Sequence, residues 1–295
     1  MFDLRYHVAS LAAVFLALII GILVGVGISD RGLVDNANTR LLERRVAKLQ
    51  TQLDQTSQQA GNLGREQEAA RTYINQTYPA LVRNRLRGKR IAIVFVGSVD
   101  GGVRAAVTRA LTDSGAQQLR LRALKVPIDT QQIDAALAAH HESRIFAGQG
   151  RFEALGRSLG GELMLGGETP LWNMLTDSLV EQREGGSKDS ADGVIVVRTA
   201  KPQRDGTSRF LVGLYSGLSS AGVPAIGVEA TDARNSAVSV YRQAGLSTVD
   251  DIDAPAGRLA LVLLLGGAPP GQYGLKKTAD EGALPPLQTP AVTGG

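Results

Sequence analysis

The residues with the most distinctive chemistry are two adjacent histidines and two methionines near the middle of the chain. Imidazole nitrogens and thioether sulfurs can bind a soft ion such as Cu(I), so the candidate metal ligands are His140, His141, Met164 and Met174. Two alternatives stay open, because histidines at a helix C-terminus and methionines among apolar residues are common without metal. The chain has no cysteine, which excludes disulfides, thiolate metal sites and thiol catalysis.

Two further patterns could serve a ligand. The segment GSVDGG, Gly97 to Gly102, follows an apolar run and precedes a helical pattern, as phosphate-binding loops do, but it matches neither GxGxxG nor a Walker A loop. Asp250, Asp251 and Asp253 cluster after a predicted strand. The alternatives are a structural turn and a solvated acidic loop. No nucleophile–base pair is recognisable, so we do not expect an enzyme.

The first structural element along the chain is predicted to be an apolar helix at the N-terminus. Val8 to Ile28 contains no charged residue and would span roughly 30 Å as a helix, about one hydrocarbon core. We predict an uncleaved membrane anchor over residues 1–29. Ala9, Ala13, Ala17, Gly21 and Gly25 recur every fourth residue and form a ridge of small side chains, as in associating membrane helices.

A heptad pattern follows the anchor and predicts a coiled-coil stalk over residues 30–78. Its firmest a/d positions are Leu42, Val46, Leu49 and Leu53, and the pattern continues more weakly to Ile74. We therefore expect a homodimer through span and stalk. A single helix that lies on its own globular domain is the alternative. We expect the helix to be ended by Pro79 and the basic run that follows, Arg83, Arg85, Arg87, Lys89 and Arg90.

An α/β domain is predicted over residues 88–278, with a disordered tail over 279–295. Apolar runs such as Ile91 to Val96, Val194 to Val197 and Val223 to Val228 alternate with helical patterns, which favours a mostly parallel sheet with helices on both faces. Pro170 to Gln182 is predicted as one helix. The apolar run Leu259 to Gly267 is too short to cross a membrane and is interpreted as a buried helix.

Net charge is +4, and the positive charge is concentrated near the predicted membrane. From Arg31 to Arg90 there are 12 Lys and Arg against 5 Asp and Glu. Such a segment suits a solvated stalk beside anionic headgroups. Aromatic residues make up only 4% of the chain and show no nucleic-acid motif, so we expect no nucleic-acid partner.

Three segments resemble the actinobacterial copper transporter family of the mycobacterial copper transport protein B type. They are the anchor MFDLRYHVASLAAVFLALIIGILVG, the segment LSTVDDIDAPAGRLALVLLL at Leu246 to Leu265, and GQYGLKK at Gly271 to Lys277. The resemblance covers nearly the whole chain. It implies a role in copper homeostasis or efflux, with copper as a possible ligand. Corynebacterial relatives imply an alternative, a cell-division or envelope factor that partners a second membrane protein to control a peptidoglycan hydrolase.

The residues themselves favour an oligomeric scaffold or regulator over a channel, because one wholly apolar span cannot line a pore. Two arguments disagree on the orientation in the membrane. The basic residues after the span favour a cytoplasmic location of the α/β domain, called the head below, by the positive-inside rule. The resemblance places the head outside, and long domains translocate with less regard to charge. We expect a single-pass protein of the plasma membrane with an extracytoplasmic head.

Overall fold

A computed structural model describes residues 4–28, 31–186 and 188–287. The chain divides into two compact units, Met1–Ala70 and Arg71–Gly295. The first unit is helical and the second is an α/β domain, as the fold class predicted from the sequence requires.

The first unit consists of helix α1, Leu4–Ile28, and most of helix α2, Arg31–Val82. Within the described residues, one helical stretch, His7–Gly27, is long and apolar enough to cross a membrane. Its 21 residues match the thickness of a hydrocarbon core. The heptad pattern of α2 is helical as predicted, whereas a coiled coil requires a second helix and stays a prediction.

The last turns of α2 belong to the second unit. Of the two signals predicted to end the helix, Pro79 does not end it, and the helix stops directly before Arg83, where the basic run begins. The helix continues through Pro79 to Val82. Tyr78 and Val82 are buried, as is Leu86 just beyond the helix, and all three pack in the core beneath the sheet. This burial stabilises a final turn in which proline supplies no amide hydrogen.

A seven-stranded sheet forms the centre of the second unit. Its strand order is β3-β2-β1-β4-β5-β6-β7, and all pairs are parallel except β2 with β3. The strands are β1 Arg90–Val96, β2 Gln117–Leu124, β3 Val180–Glu184, β4 Gly193–Arg198, β5 Ala225–Val228, β6 Ser247–Val249 and β7 Gln272–Tyr273.

Helices cover both faces of this sheet, as predicted. They are α3 Gly101–Ser114, α4 Thr130–Ala139, α5 Phe152–Leu165, α6 Pro170–Leu179, α7 Asp205–Ser219, α8 Val238–Gln243 and α9 Pro255–Leu265. One core contains side chains of α4 to α8, and the other contains those of α3, α9 and the end of α2. Alternate residues of β1 enter the two cores, which explains its continuous apolar run. Helix α9 is buried, as its apolar sequence predicted.

Helices α5 and α7 are packed backbone against backbone. A Cβ atom on Gly213 would lie 1.9 Å from the carbonyl oxygen of Glu153, and one on Gly156 would lie 2.1 Å from that of Phe210. No side chain fits at such distances, so glycine at these two positions permits the contact.

The two edges of the sheet differ from the sequence-based prediction. The helix predicted over Pro170 to Gln182 ends at Leu179, because Val180 adopts an extended conformation and begins β3, which pairs with β2. At the opposite edge, β7 was not predicted because it is only two residues long. Beyond it, the amide of Glu281 donates to the carbonyl of Gln272 at 3.2 Å, and that of Gly274 donates to the carbonyl of Gly282 at 3.0 Å.

Candidate functional site

A polar cleft of about 630 Å³ lies at the carboxyl ends of β1, β4 and β5. Strand β2, which follows β1 along the chain, lies on one side of β1, and β4 lies on the other. The strand order therefore reverses at this cleft, which is where ligands bind in open α/β sheets. Its charged lining residues are Asp100, Arg198, Glu229, Asp232, Arg234 and Asp253.

The loop Gly97 to Gly102 forms one wall of the cleft and is closed against the end of β4. Gly97 has a φ of +103°, and a Cβ atom there would lie 2.7 Å from Thr199 Oγ1. The Thr199 hydroxyl donates to the carbonyl of Ser98 at 2.7 Å. Glycine at position 97 thus permits two loops to pack together.

The same loop supplies a carboxylate at the N-terminus of helix α3. Asp100 Oδ1 accepts a hydrogen bond from the amide of Val103 at 2.8 Å, which caps the helix. A phosphate at this position would meet a carboxylate. The geometry therefore favours the structural-turn interpretation of GSVDGG over a phosphate loop.

A buried ion pair lies beside the cleft, between Glu229 after β5 and Lys276 after β7. Glu229 is 5% exposed, and its Oε1 accepts from Lys276 Nζ at 2.7 Å. Glu229 Oε2 accepts from the amide of Ala237 at 2.9 Å, and Lys276 Nζ also donates to the carbonyl of Ala230 at 2.7 Å. The pair thus joins the segment after β7 to the residues that connect β5 with α8.

Asp250 binds the segment that carries Lys276. Its Oδ1 accepts from the amides of Leu275 at 2.9 Å and Lys276 at 3.2 Å, and its Oδ2 accepts from the Thr278 hydroxyl at 3.0 Å. Gly274 has a φ of +141°, and a Cβ atom there would lie 2.0 Å from Asp250 Oδ1. The segments Leu246 to Leu265 and Gly271 to Lys277, which carry the family resemblance, therefore meet through this carboxylate.

The neighbouring Asp251 is buried in a different way. It is 0% exposed, and neither carboxyl oxygen hydrogen-bonds to another residue in the part of the chain that the structure describes. Its backbone lies against Gly257 of α9, where a Cβ atom would approach the Asp251 carbonyl oxygen to 2.1 Å. Burial, and then the charges of Asp250 and Asp253, raise the pKa of Asp251 to about 6.

The third member of the acidic cluster anchors a loop. Asp253 Oδ1 accepts from the Thr231 amide at 2.7 Å and from its hydroxyl at 3.0 Å. Across the cleft, Arg198 Nη2 donates to the carbonyl of Ser236 at 2.7 Å. The cluster predicted to lie after a strand does so, and the carboxylates of Asp250 and Asp253 hold neighbouring backbone segments in place.

The candidate metal ligands are distributed between surface and core. His140 and His141 are exposed after α4, and His140 Nδ1 lies 3.0 Å from the carbonyl oxygen of Ala136. Met164 is 2% exposed within the core. Met174 is half-buried, and its sulfur accepts from the Ser143 hydroxyl at 3.5 Å. Among the described residues, no three His, Cys, Asp or Glu side chains are grouped as a metal site.

The candidate oligomerisation residues are exposed in the single chain. Ala13, Ala17, Gly21 and Gly25 lie along α1, and a Cβ atom on either glycine would meet nothing within 4 Å. Leu42, Val46, Leu49 and Leu53 are 51–68% exposed along α2. Both rows present apolar surface that a second helix could cover.

Sequence reasoning missed Glu229 and Lys276. Glu229 directly follows the correctly located strand β5, so a charged residue at a strand's carboxyl end was the available signal. Lys276 belongs to GQYGLKK, one of the segments that carries the resemblance.

Known proteins are similar to this chain over both the N-terminal apolar helix and the α/β domain. The family described as "Copper transport outer membrane protein, MctB" matches residues 1–284. Proteins named Copper transporter MctB, from Mycobacterium bovis and from two strains of Mycobacterium tuberculosis, are 27% identical to this chain, over 93% of it and 96% of their own length. The family name and the apolar helix α1 are both consistent with membrane anchoring. The chain therefore belongs to the MctB family of copper transport proteins.

Proposed function

We propose that this protein acts in copper homeostasis or efflux as a membrane-anchored scaffold or regulator that self-associates, and that it does not form a channel alone. The observation that carries the proposal is the exposed apolar row of α2, Leu42, Val46, Leu49 and Leu53. Four large apolar side chains at heptad spacing match the pattern from which coiled-coil seams are built. Covering the exposed part of each side chain in a dimer contributes about 1–2 kcal/mol.

The anchor supports the same arrangement. Its small residues would let two copies of α1 approach closely, so span and stalk could pair along one continuous line. A single helix encloses no pore, and Val8 to Ile28 has no charged residue with which to bind a passing ion.

The available copper ligands also favour regulation over direct copper handling. Strong Cu(I) sites use thiolates or several thioethers. This chain has no cysteine and three methionines, of which Met1 is the start and Met164 is buried in the core. We propose that copper is handled by a partner in the membrane and that this protein organises or controls that partner.

Disulfide cross-linking in native membranes tests the dimer, because a chain without cysteine gives no background. Leu49→Cys and Leu53→Cys should cross-link rapidly between copies under mild oxidation. Gln52→Cys, one residue outside the seam, is the matched control and should react slowly. Equal rates at positions 49 and 52, or no cross-link at either seam position, would refute the coiled coil.

A separate cysteine variant tests the proposed location. We propose a plasma-membrane anchor with the head on the extracytoplasmic side. A single cysteine on the head, at His141, should then react with a membrane-impermeant maleimide in intact spheroplasts. Labelling only after lysis would place the head in the cytoplasm.

A further inference from the structure

A second cavity, of about 450 Å³, lies beside the antiparallel edge of the sheet. Strands β2 and β3 and the start of α6 line it, far along the sheet from the polar cleft. Its basic lining residues are Arg120, Arg122, Arg183 and Lys188, and its neutral polar ones include Thr169, Asn173 and Thr176.

Glycines shape the walls of this cavity. A Cβ atom on Gly166 would lie 2.4 Å from the carbonyl oxygen of Asp189, and one on Gly185 would lie 2.3 Å from that of Leu119. The amide of Gly167 donates to the carbonyl of Lys188 at 2.7 Å. The loops on either side are therefore fixed closely to the sheet and to α5, and the cavity is part of the fold.

Strand pairing places like charges opposite each other at the cavity. Arg122 of β2 and Arg183 of β3 are direct partners in the antiparallel register. Two like charges at such a pair destabilise a sheet. Arg120 lies two residues from Arg122, so its side chain is on the same side of β2. Burial, and then the charges of Arg120 and Arg183, lower the pKa of Arg122.

The neighbouring carboxylates are engaged with other cations. Glu184 forms an ion pair with Arg104 of α3 at 2.9 Å, and Glu168 pairs with Lys188. Within the ranges that the structure describes, neither of the two opposed arginines forms an ion pair.

The two arginines retain hydrogen-bonding capacity. Arg122 donates through Nη1 to the carbonyls of Leu121 at 2.8 Å and Glu184 at 2.9 Å. The guanidinium group of Arg183 forms no ion pair or side-chain hydrogen bond with any residue in the described ranges. Donors on both guanidinium groups are thus available to a ligand in the cavity.

We propose that this cavity binds a phosphate group, with Arg122 and Arg183 as its two charged ligands. A dianion between opposed guanidinium groups would convert their repulsion into two charge-assisted interactions. The side-chain amide of Asn173 on α6 can donate to one of the remaining oxygens. The cavity exceeds the size of phosphate alone, so a phosphate monoester, free or as a lipid headgroup, fits the same chemistry.

Trp172 gives a direct assay, because it is the only tryptophan of the chain and lines the cavity. Inorganic phosphate titrated into the detergent-solubilised full chain at constant ionic strength should change its fluorescence saturably. Arg122→Gln and Arg183→Gln should each weaken binding about tenfold. Glycerol 3-phosphate in a parallel titration distinguishes the sources: tighter binding than phosphate favours an ester or headgroup, and equal binding favours the free ion.

A second measurement separates a binding role from a structural one. Without phosphate, Arg183→Gln should raise the unfolding temperature, because it removes a like-charge pair, while it lowers phosphate affinity. Arg209→Gln, an exposed arginine on α7, is the control and should change neither quantity. The proposal is overturned if phosphate gives no saturable change up to about 20 mM, if chloride reproduces the change, or if Arg209→Gln weakens binding equally.

Discussion

Asp251 makes the stability of the head depend on pH in a direction opposite to that of most carboxylates. Its side chain is buried, without a hydrogen-bond partner among the described residues, beside Asp250 and Asp253. The protonated form is therefore favoured in the folded protein, and ionisation opposes folding. Asp251→Asn replaces it with a neutral side chain of the same shape.

The pKa of Asp251 sets both the size and the pH range of this effect. A rise from 3.8 to about 6 corresponds to about 3 kcal/mol of lost stability once the group is ionised in both states. Below pH 3.8 the carboxyl is protonated in both states, and the loss is absent. The loss grows as the pH rises from 3.8 to about 6 and is constant above that.

Urea unfolding followed by Trp172 fluorescence measures this loss in the full chain at several pH values. Asp251→Asn should exceed the wild type by about 2–3 kcal/mol at pH 8 and differ little at pH 4. Asp177→Asn, an exposed site on α6, controls for removal of one negative charge. A difference that is constant with pH, or a variant less stable than the wild type at pH 8, would refute the reasoning.

The remaining predictions concern packing and charge. Gly213→Ala should lower the free energy of unfolding of the head by about 1–3 kcal/mol, because the new methyl group would overlap the Glu153 carbonyl. Gly161→Ala, which has open space around it, is the control and should not change the free energy of unfolding. Lys276→Met should cost roughly 3 kcal/mol, because Glu229 is left buried without its cation. In urea titrations the double variant with Lys276→Met and Glu229→Gln should recover stability relative to Lys276→Met alone. A double variant that is no more stable than Lys276→Met would contradict the ion-pair account.

The architecture was predictable because its signals are local. Apolar runs of β-branched residues located β1, β4 and β5, and the heptad and anchor patterns located α1 and α2. Strand β3 was missed because its sequence, VEQRE, continues the helical pattern of α6, and only pairing with β2 makes it extended. Tertiary packing likewise extended α2 beyond Pro79, where burial of Val82 outweighs the missing amide hydrogen.

The sites were less predictable because they depend on contacts across the chain. Sequence placed the acidic cluster at the end of a strand, which is correct. It could not show that Asp250 binds the backbone at Lys276, since 26 residues separate them. The opposition of Arg122 and Arg183 depends on the register of a strand that sequence did not reveal.

The two ends of the sheet bear on how large an assembly this protein can form. Strand β7 is two residues long; the carbonyl of Gln272 accepts from the Glu281 amide, and Gly274, just after the strand, donates to Gly282. Strand β3 is five residues long and bears Glu181 and Arg183. Short, charged or covered edges resist the addition of further strands. If copies associate only through their helices, the complex would contain a small, fixed number of copies. A high concentration in the membrane would then not join the sheets of different copies into fibres.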